Sequence, residues 1–157
     1  LPTFADLPNL KYTEMVIKES MRLYPPAWVT SRQVATDGVT LGGYPVDKWV
    51  SVVVNIFGVH RDERFFPEPE KFDPERFSPE NEKNIQKYAY MPFGAGPRVC
   101  IGNAFAMMEA KLVLATIAPR FSLRLAPGQR VQPDRVFTLR PKYGMKMVVA
   151  ARESVMA

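Results

Sequence analysis

The 157 residues, 46% of them hydrophobic, suffice for one packed domain, and the longest apolar run, around Val50 to Val54, has the length of a strand rather than of a membrane span. The 21 Lys and Arg against 16 Asp and Glu leave a formal charge of +5; they are scattered and no nucleic-acid-binding motif accompanies them, which argues for a solvated surface and no nucleic-acid partner. One cysteine and one histidine exclude an internal disulfide and a four-ligand structural zinc site, and fit a reducing compartment.

The first periodic segment runs from Asn9 to Leu23 and is stopped by Pro25-Pro26, because proline cannot continue a helix and restricts the residue before it. At about 100° per residue, Tyr12, Met15, Val16 and Leu23 fall within roughly 60° of Glu19. A carboxylate in the middle of an apolar arc is expensive to bury unless it is paired. Arg22, three residues on, lies on the same side and can pair with it.

Ala27 to Val34 reads as extended, and Val39 to Val54 as a hairpin around Gly42-Gly43 followed by a β-branched strand. His60 invites a catalytic reading because imidazole titrates near neutrality, but a satisfied structural imidazole is the expectation. Pro67 to Tyr90, rich in proline and alternating charge, predicts an irregular segment running over the surface, with a role of its own.

The single cysteine lies in the run Phe93-Gly94-Ala95-Gly96-Pro97-Arg98-Val99-Cys100-Ile101-Gly102. A lone cysteine is most often a small buried hydrophobe. Here, however, Gly94, Gly96 and Gly102 permit tight turns and close approach. The helical stretch Asn103 to Pro119 aims its unpaired N–H groups and positive dipole end at the sulfur, favouring the thiolate as a metal ligand. In that stretch Ala104, Phe105, Met108, Leu112 and Ala115 recur at helical spacing and predict a core-facing stripe. Met107 and Met108 read as core filler. Phe121 to Leu125 and Met145 to Ala150 then read as strands, with Arg140 to Gly144 as a turn.

The run from Phe93 to Gly102 resembles the haem-binding loop of the cytochromes P450, the haem-thiolate monooxygenases, and fills every fixed position of it. Glu19-x-x-Arg22 resembles that family's helix motif of the same form, and Phe72-Asp73-Pro74-Glu75-Arg76-Phe77 resembles the loop whose arginine joins that pair. The resemblance covers nearly the whole chain. It implies an α+β fold, with small sheets and the proximal loop and helix, in which residues 1–157 are the C-terminal haem-binding portion of a single domain. The N-terminal part and the distal helix are expected upstream.

It further implies that Cys100 ligates the iron of haem b, that Phe93 packs on the thiolate side within the Gly94 to Gly102 loop, and that Arg98 pairs with a haem propionate. Arg32 matches a frequent second propionate position. Glu19, Arg22 and Arg76 form a structural triad that holds the proximal core and helps haem incorporation. Residues 55–59 form a helix, and Ala27, Val29 and Phe137 contact substrate. The implied reaction inserts one atom of dioxygen into a small organic substrate, with electrons from NAD(P)H delivered by a ferredoxin, flavodoxin or reductase-type donor. A thiolate ligand, the ligation known for this family, pushes electron density toward iron and favours O–O cleavage. Two other classes stay open: a haem-thiolate peroxygenase or isomerase, and a non-catalytic haem-binding fragment. The isolated chain is expected to be inactive and the expected setting is cytoplasmic, with a membrane-anchored parent left open.

Overall fold

A computed structural model describes residues 1–152. A 3₁₀ turn, Phe4–Asn9, leads into α1, Lys11–Leu23. The helix starts two residues later than the periodicity suggests because Pro8 lies inside the preceding turn. It ends where expected: Tyr24 N–H still donates to Ser20 O at 2.8 Å, and Pro25-Pro26 allow no further turn.

Beyond α1 come β1 (Thr30–Gln33), β2 (Val39–Leu41), β3 (Tyr44–Val46) and β4 (Ser51–Val54). β2 and β3 form the hairpin, turning on Gly42 and Gly43 with φ of 58° and 87°. Two successive positive φ values mark the turn type that matches strand twist, and glycine adopts both without strain. β4 returns to pair antiparallel with β1, Thr30 opposite Val54 and Gln33 opposite Ser51.

A single turn, α2 (Ile56–Val59), is capped by Asn55, whose side chain accepts from Gly58 N at 3.0 Å. The segment 67–90 is irregular apart from a 3₁₀ turn at Pro74–Phe77 and the short α3, Pro79–Glu82. α4 spans Asn103–Ile117. Two antiparallel pairs finish the described chain, β5 (Phe121–Leu125) with β8 (Met147–Ala151), and β6 (Pro133–Arg135) with β7 (Leu139–Pro141). Arg140 and Pro141, read from sequence as the start of a turn, belong to β7, and β8 begins at Met147 rather than Met145. The turn is pushed along the chain by the pairing of Pro133 with Pro141, a partnership with no local signature.

The core lies between α1, α2 and the irregular segment. Met15, Leu23, Val34, Ile56, Phe66, Phe77 and Ala89 are buried, together with Glu19, Arg22 and His60. α4 contributes no buried residue; Phe105, expected to face the core, is 63% exposed. The reason is compositional: Ala104 to Met108 is apolar all round, so a 3.6-residue stripe does not single out one face. An ion pair ties it to α1: Lys111 Nζ donates to Glu14 Oε2 at 2.8 Å, which holds the Glu14 carboxyl below its usual range.

His60 is fully enclosed. Its Nδ1–H donates to Arg22 O at 3.2 Å, and its Nε2 accepts from Met91 N at 2.9 Å. The second bond requires a lone pair, so the fold selects the neutral ring, and burial moves the pKa down to about 4. Because the folded pKa lies below the ordinary value of 6.5, this contribution to stability is complete above about pH 6.5 and is lost as pH falls toward about 4. His60→Gln, which keeps hydrogen-bonding capacity but binds no proton, is expected to flatten denaturant-measured stability across that window. The pH-dependent stability removed corresponds to about 3 kcal/mol at ~1.36 kcal/mol per pKa unit. An unchanged acid-side slope in the variant refutes the assignment.

Candidate haem-thiolate site

The cysteine loop is built from backbone chemistry. Gly94 and Gly96 take φ of 75° and 69°, letting the chain double back so that Cys100 N–H donates to Phe93 O at 2.9 Å. Gly94 N–H donates to Met91 O at 3.0 Å and Val99 N–H to Gly96 O at 3.1 Å. A side chain at either glycine meets a left-handed backbone that L-residues rarely adopt. At Gly102 it is the close approach, not the turn, that applies: its φ is −83°, and a Cβ there would meet only Cys100 Sγ, at 3.8 Å. What the missing side chain leaves clear at position 102 is the space beside the sulfur. α4 begins at the next residue, with Cys100 O accepting from Asn103 N at 3.4 Å.

Cys100 is solvent-exposed and opens into a cavity of ≈ 330 Å³. Phe93, Gly94 and Arg98 line the cavity from the same loop, and Arg32 lines it from β1. Ala27, Val29 and Ile56 supply an apolar wall. Neither Arg32 nor Arg98 takes part in an ion pair among the described residues. Arg32 folds one nitrogen onto its own strand, Nη1 donating to Ser31 O at 2.7 Å, and keeps its other donors for an anion. A sulfur ligand, an apolar wall and two guanidinium groups around one cavity form the donor set that a flat apolar macrocycle with carboxylate substituents requires.

Met21, Pro26, Thr30 and Pro92 also line the cavity and went unread in the sequence. Met21 had a signal, since it precedes Arg22 on α1. Phe137 is 94% exposed at the tip of the β6–β7 hairpin and is not part of the cavity lining. That hairpin nevertheless abuts the wall: Leu139 N–H donates to Pro26 O at 2.9 Å.

Behind the loop stands the ionic cluster. Arg22 holds Glu19 through two bonds, Nε to Oε2 at 2.7 Å and Nη2 to Oε1 at 2.8 Å, with both side chains fully buried. Arg22 Nη1 donates to His60 O at 2.8 Å and Nη2 to Lys71 O at 3.1 Å, while Asp73 N–H donates to Glu19 Oε1 at 2.9 Å. Arg76 approaches the pair less closely. Its Nε is 3.6 Å from Glu19 Oε1 without a hydrogen bond, and its Nη2 donates to Glu68 O at 2.9 Å.

This chain belongs to the cytochrome P450 family. The family described as Cytochrome P450 matches residues 1–148. Cyclooctatin synthase of Streptomyces melanosporofaciens is 43% identical over 132 residues, 84% of this chain and 28% of that protein. Cytochrome P450 9e2 of Blattella germanica is 44% identical over 125 residues, 78% of this chain and 24% of that protein. Among solved structures, the heme domain of cytochrome P450DA superposes with a TM-score of 0.88 at 29% identity, covering 98% of this chain and 33% of that one. The chain thus spans about a quarter to a third of the proteins it matches. Its fold is a partial P450 fold of helices and small sheets, and the family is one of haem-dependent oxidoreductases that includes named monooxygenases. Among the described residues no helix is long and apolar enough to cross a membrane.

The geometry ranks the cluster's members. Glu19→Ala or Arg22→Ala strands a buried charge and is expected to cost about 3–5 kcal/mol. Arg76→Ala, losing an ion pair without a hydrogen bond to Glu19, is expected to cost about 1–2 kcal/mol. The Glu19→Ala/Arg22→Ala double variant should lose less than the sum of its parts, as neighbours in one network do. Chemical denaturation of the four variants checks this order, and strict additivity contradicts a shared network.

Proposed function

We propose that the chain is the thiolate-side, haem-b-binding part of a cytochrome P450 monooxygenase. The observation that carries this reading is the convergence of Cys100, Phe93, Arg98 and Arg32 on one cavity with an apolar wall. When bound, the haem iron supplies the activation of dioxygen, one atom of which enters a small organic substrate while the other leaves as water.

The residues of this chain hold, orient and tune. Cys100, exposed at the loop end and next to the start of α4, would offer its sulfur as the iron ligand. Phe93 covers the thiolate side. Arg98 and Arg32 would hold the propionates through charge-assisted hydrogen bonds. Ala27 and Val29, on the cavity wall, and Phe137, on the adjoining hairpin, contact substrate. Glu19, Arg22 and Arg76 hold the proximal core in the shape that receives the cofactor. Electrons derived from NAD(P)H arrive through a ferredoxin, flavodoxin or reductase-type donor, whose encounter a net charge of +5 favours when that donor is acidic. A single free cysteine suits a cytoplasmic setting.

In the full-length protein, the reduced carbon monoxide complex is expected to show the strongly red-shifted band of thiolate ligation, and Cys100→His to move it to a histidine-ligated position. An unchanged band in Cys100→His overturns the assignment. Residues 1–157 alone are expected to bind haem weakly and to give no coupled oxidation, because the cavity walls they supply enclose only part of such a ligand. Tight stoichiometric haem binding with donor-dependent product formation by the isolated chain contradicts this.

A further inference from the structure

Beside the cavity, the ring of Phe57 in α2 lies against two guanidinium groups. Arg61 Cζ is 3.7 Å and Arg135 Cζ 4.2 Å from its centroid. Two such groups cannot share one face of a ring at these distances without overlapping, so the ring is held between them. Each cation is attracted by the negative face of the ring. Their mutual repulsion is eased by Glu70, whose Oε1 lies 3.0 Å from Arg61 Nε. Arg61 Nη1 is buried and has no hydrogen-bond partner among the described residues, so the aromatic face is its compensation.

Arg135 is the last residue of β6, immediately before the tip that carries Phe137. The same hairpin has two further attachments: Trp28 Nε1–H donates to Val136 O at 3.3 Å, and Leu139 N–H to Pro26 O at 2.9 Å. The anchors are themselves joined, Phe57 N–H donating to Trp28 O at 3.0 Å. They alternate in sequence with Pro26, Ala27, Val29 and Ile56, which line the cavity. The hairpin's own ladder is short: Pro133 to Arg135 pair with Leu139 to Pro141, extended by one bond from Lys142 N–H to Gln132 O at 2.8 Å and by an Arg140–Asp134 ion pair at 3.7 Å. An isolated two-stranded hairpin is marginal in water. Its placement against the cavity wall is therefore set by these attachments rather than by its own ladder.

We infer that Trp28, Phe57, Arg61 and Arg135 are positioning residues that clamp the 133–141 hairpin to the cavity wall and so determine which bulky ligands the site accepts. This rests on the proposed haem-binding reading of that cavity. The clamp acts on ligands that extend beyond the iron and leaves small iron ligands unaffected.

The test uses the full-length, haem-loaded protein and two probes that ligate iron through an azole nitrogen, imidazole and the bulky clotrimazole. Phe57→Leu, Arg135→Met and Trp28→Phe are each expected to weaken clotrimazole about three- to tenfold, the scale of a desolvated cation–π contact. Imidazole affinity and the carbon monoxide band should stay unchanged, and Phe57→Tyr should restore clotrimazole binding. Clotrimazole affinity unchanged in the three variants, or imidazole weakened by the same factor, overturns the inference. Absence of the thiolate band in the unmutated protein is the separate failure of the haem-binding reading. Hydrogen exchange, which needs no haem, then still decides the clamp: faster exchange at residues 133–141 in Phe57→Leu supports it, and unchanged protection refutes it.

Discussion

The rest of the structure depends on one buried ion pair, Glu19 with Arg22, because it joins α1 to two other segments, one at His60 and one at Lys71 to Asp73. Each nitrogen of the Arg22 guanidinium donates: Nε to Glu19, Nη1 to His60 O, and Nη2 to both Glu19 and Lys71 O. Glu19 Oε1 in turn accepts from Asp73 N. A buried pair of this kind is weak evidence for net stability, since an apolar pair of equal volume often does as well. What an apolar pair lacks is direction. Leucines pack at many relative angles, whereas a planar fork with each nitrogen bonded fixes where residues 60, 71 and 73 sit relative to α1.

From that pair a continuous series of hydrogen bonds reaches the sulfur loop. Arg22 O receives the His60 Nδ1 proton, His60 Nε2 receives the Met91 N–H, Met91 O receives the Gly94 N–H, and Phe93 O receives the Cys100 N–H. The loop itself has little holding it beyond its own backbone, and Cys100 is exposed. Functional groups on loops need a rigid scaffold at the loop's base, and here the base is His60. Tyr90 strengthens the same point. Its ring stacks on His60 at 5.2 Å and meets Phe77 at 4.6 Å, its hydroxyl donates to Lys18 O at 2.9 Å, and burial pushes its pKa up. The residues before Phe93 are thereby tied to both sides of the core.

Features of the sequence were readable in proportion to how local their causes are. The β2–β3 turn follows from adjacent glycines, the end of α1 from adjacent prolines, and the burial of Glu19 from its place in the apolar arc of α1. The partners of Arg22 other than Glu19 are backbone carbonyls of distant residues, and a carbonyl has no letter in the sequence. The same holds for the β1–β4 register and for the bond from Leu139 to Pro26. Of the two reasons for glycine in the sulfur loop, turn and close approach, the sequence does not say which applies at Gly102; its φ of −83° is open to any residue, and its neighbour there is Cys100 Sγ. The face of α4 was unreadable because its first half is apolar on every side.

The distribution of charge separates scaffold from site. Inside the core each charge is matched: Arg22 by Glu19 and two carbonyls, Glu19 also by a backbone N–H, His60 by being neutral. Around the cavity the matching stops, since Arg32 and Arg98 have no carboxylate partner among the described residues while the wall between them is apolar. Both arginines are solvent-exposed, so in the free protein water carries their charge. A partner that is apolar in its body and anionic at its edge would match the wall and both guanidinium groups together. Arg32 sits on β1 and Arg98 in the sulfur loop, so on the proposed reading a haem held by both would also join the strand to the loop. On that reading, binding would add a link at the place where the protein's own hydrogen-bond network ends.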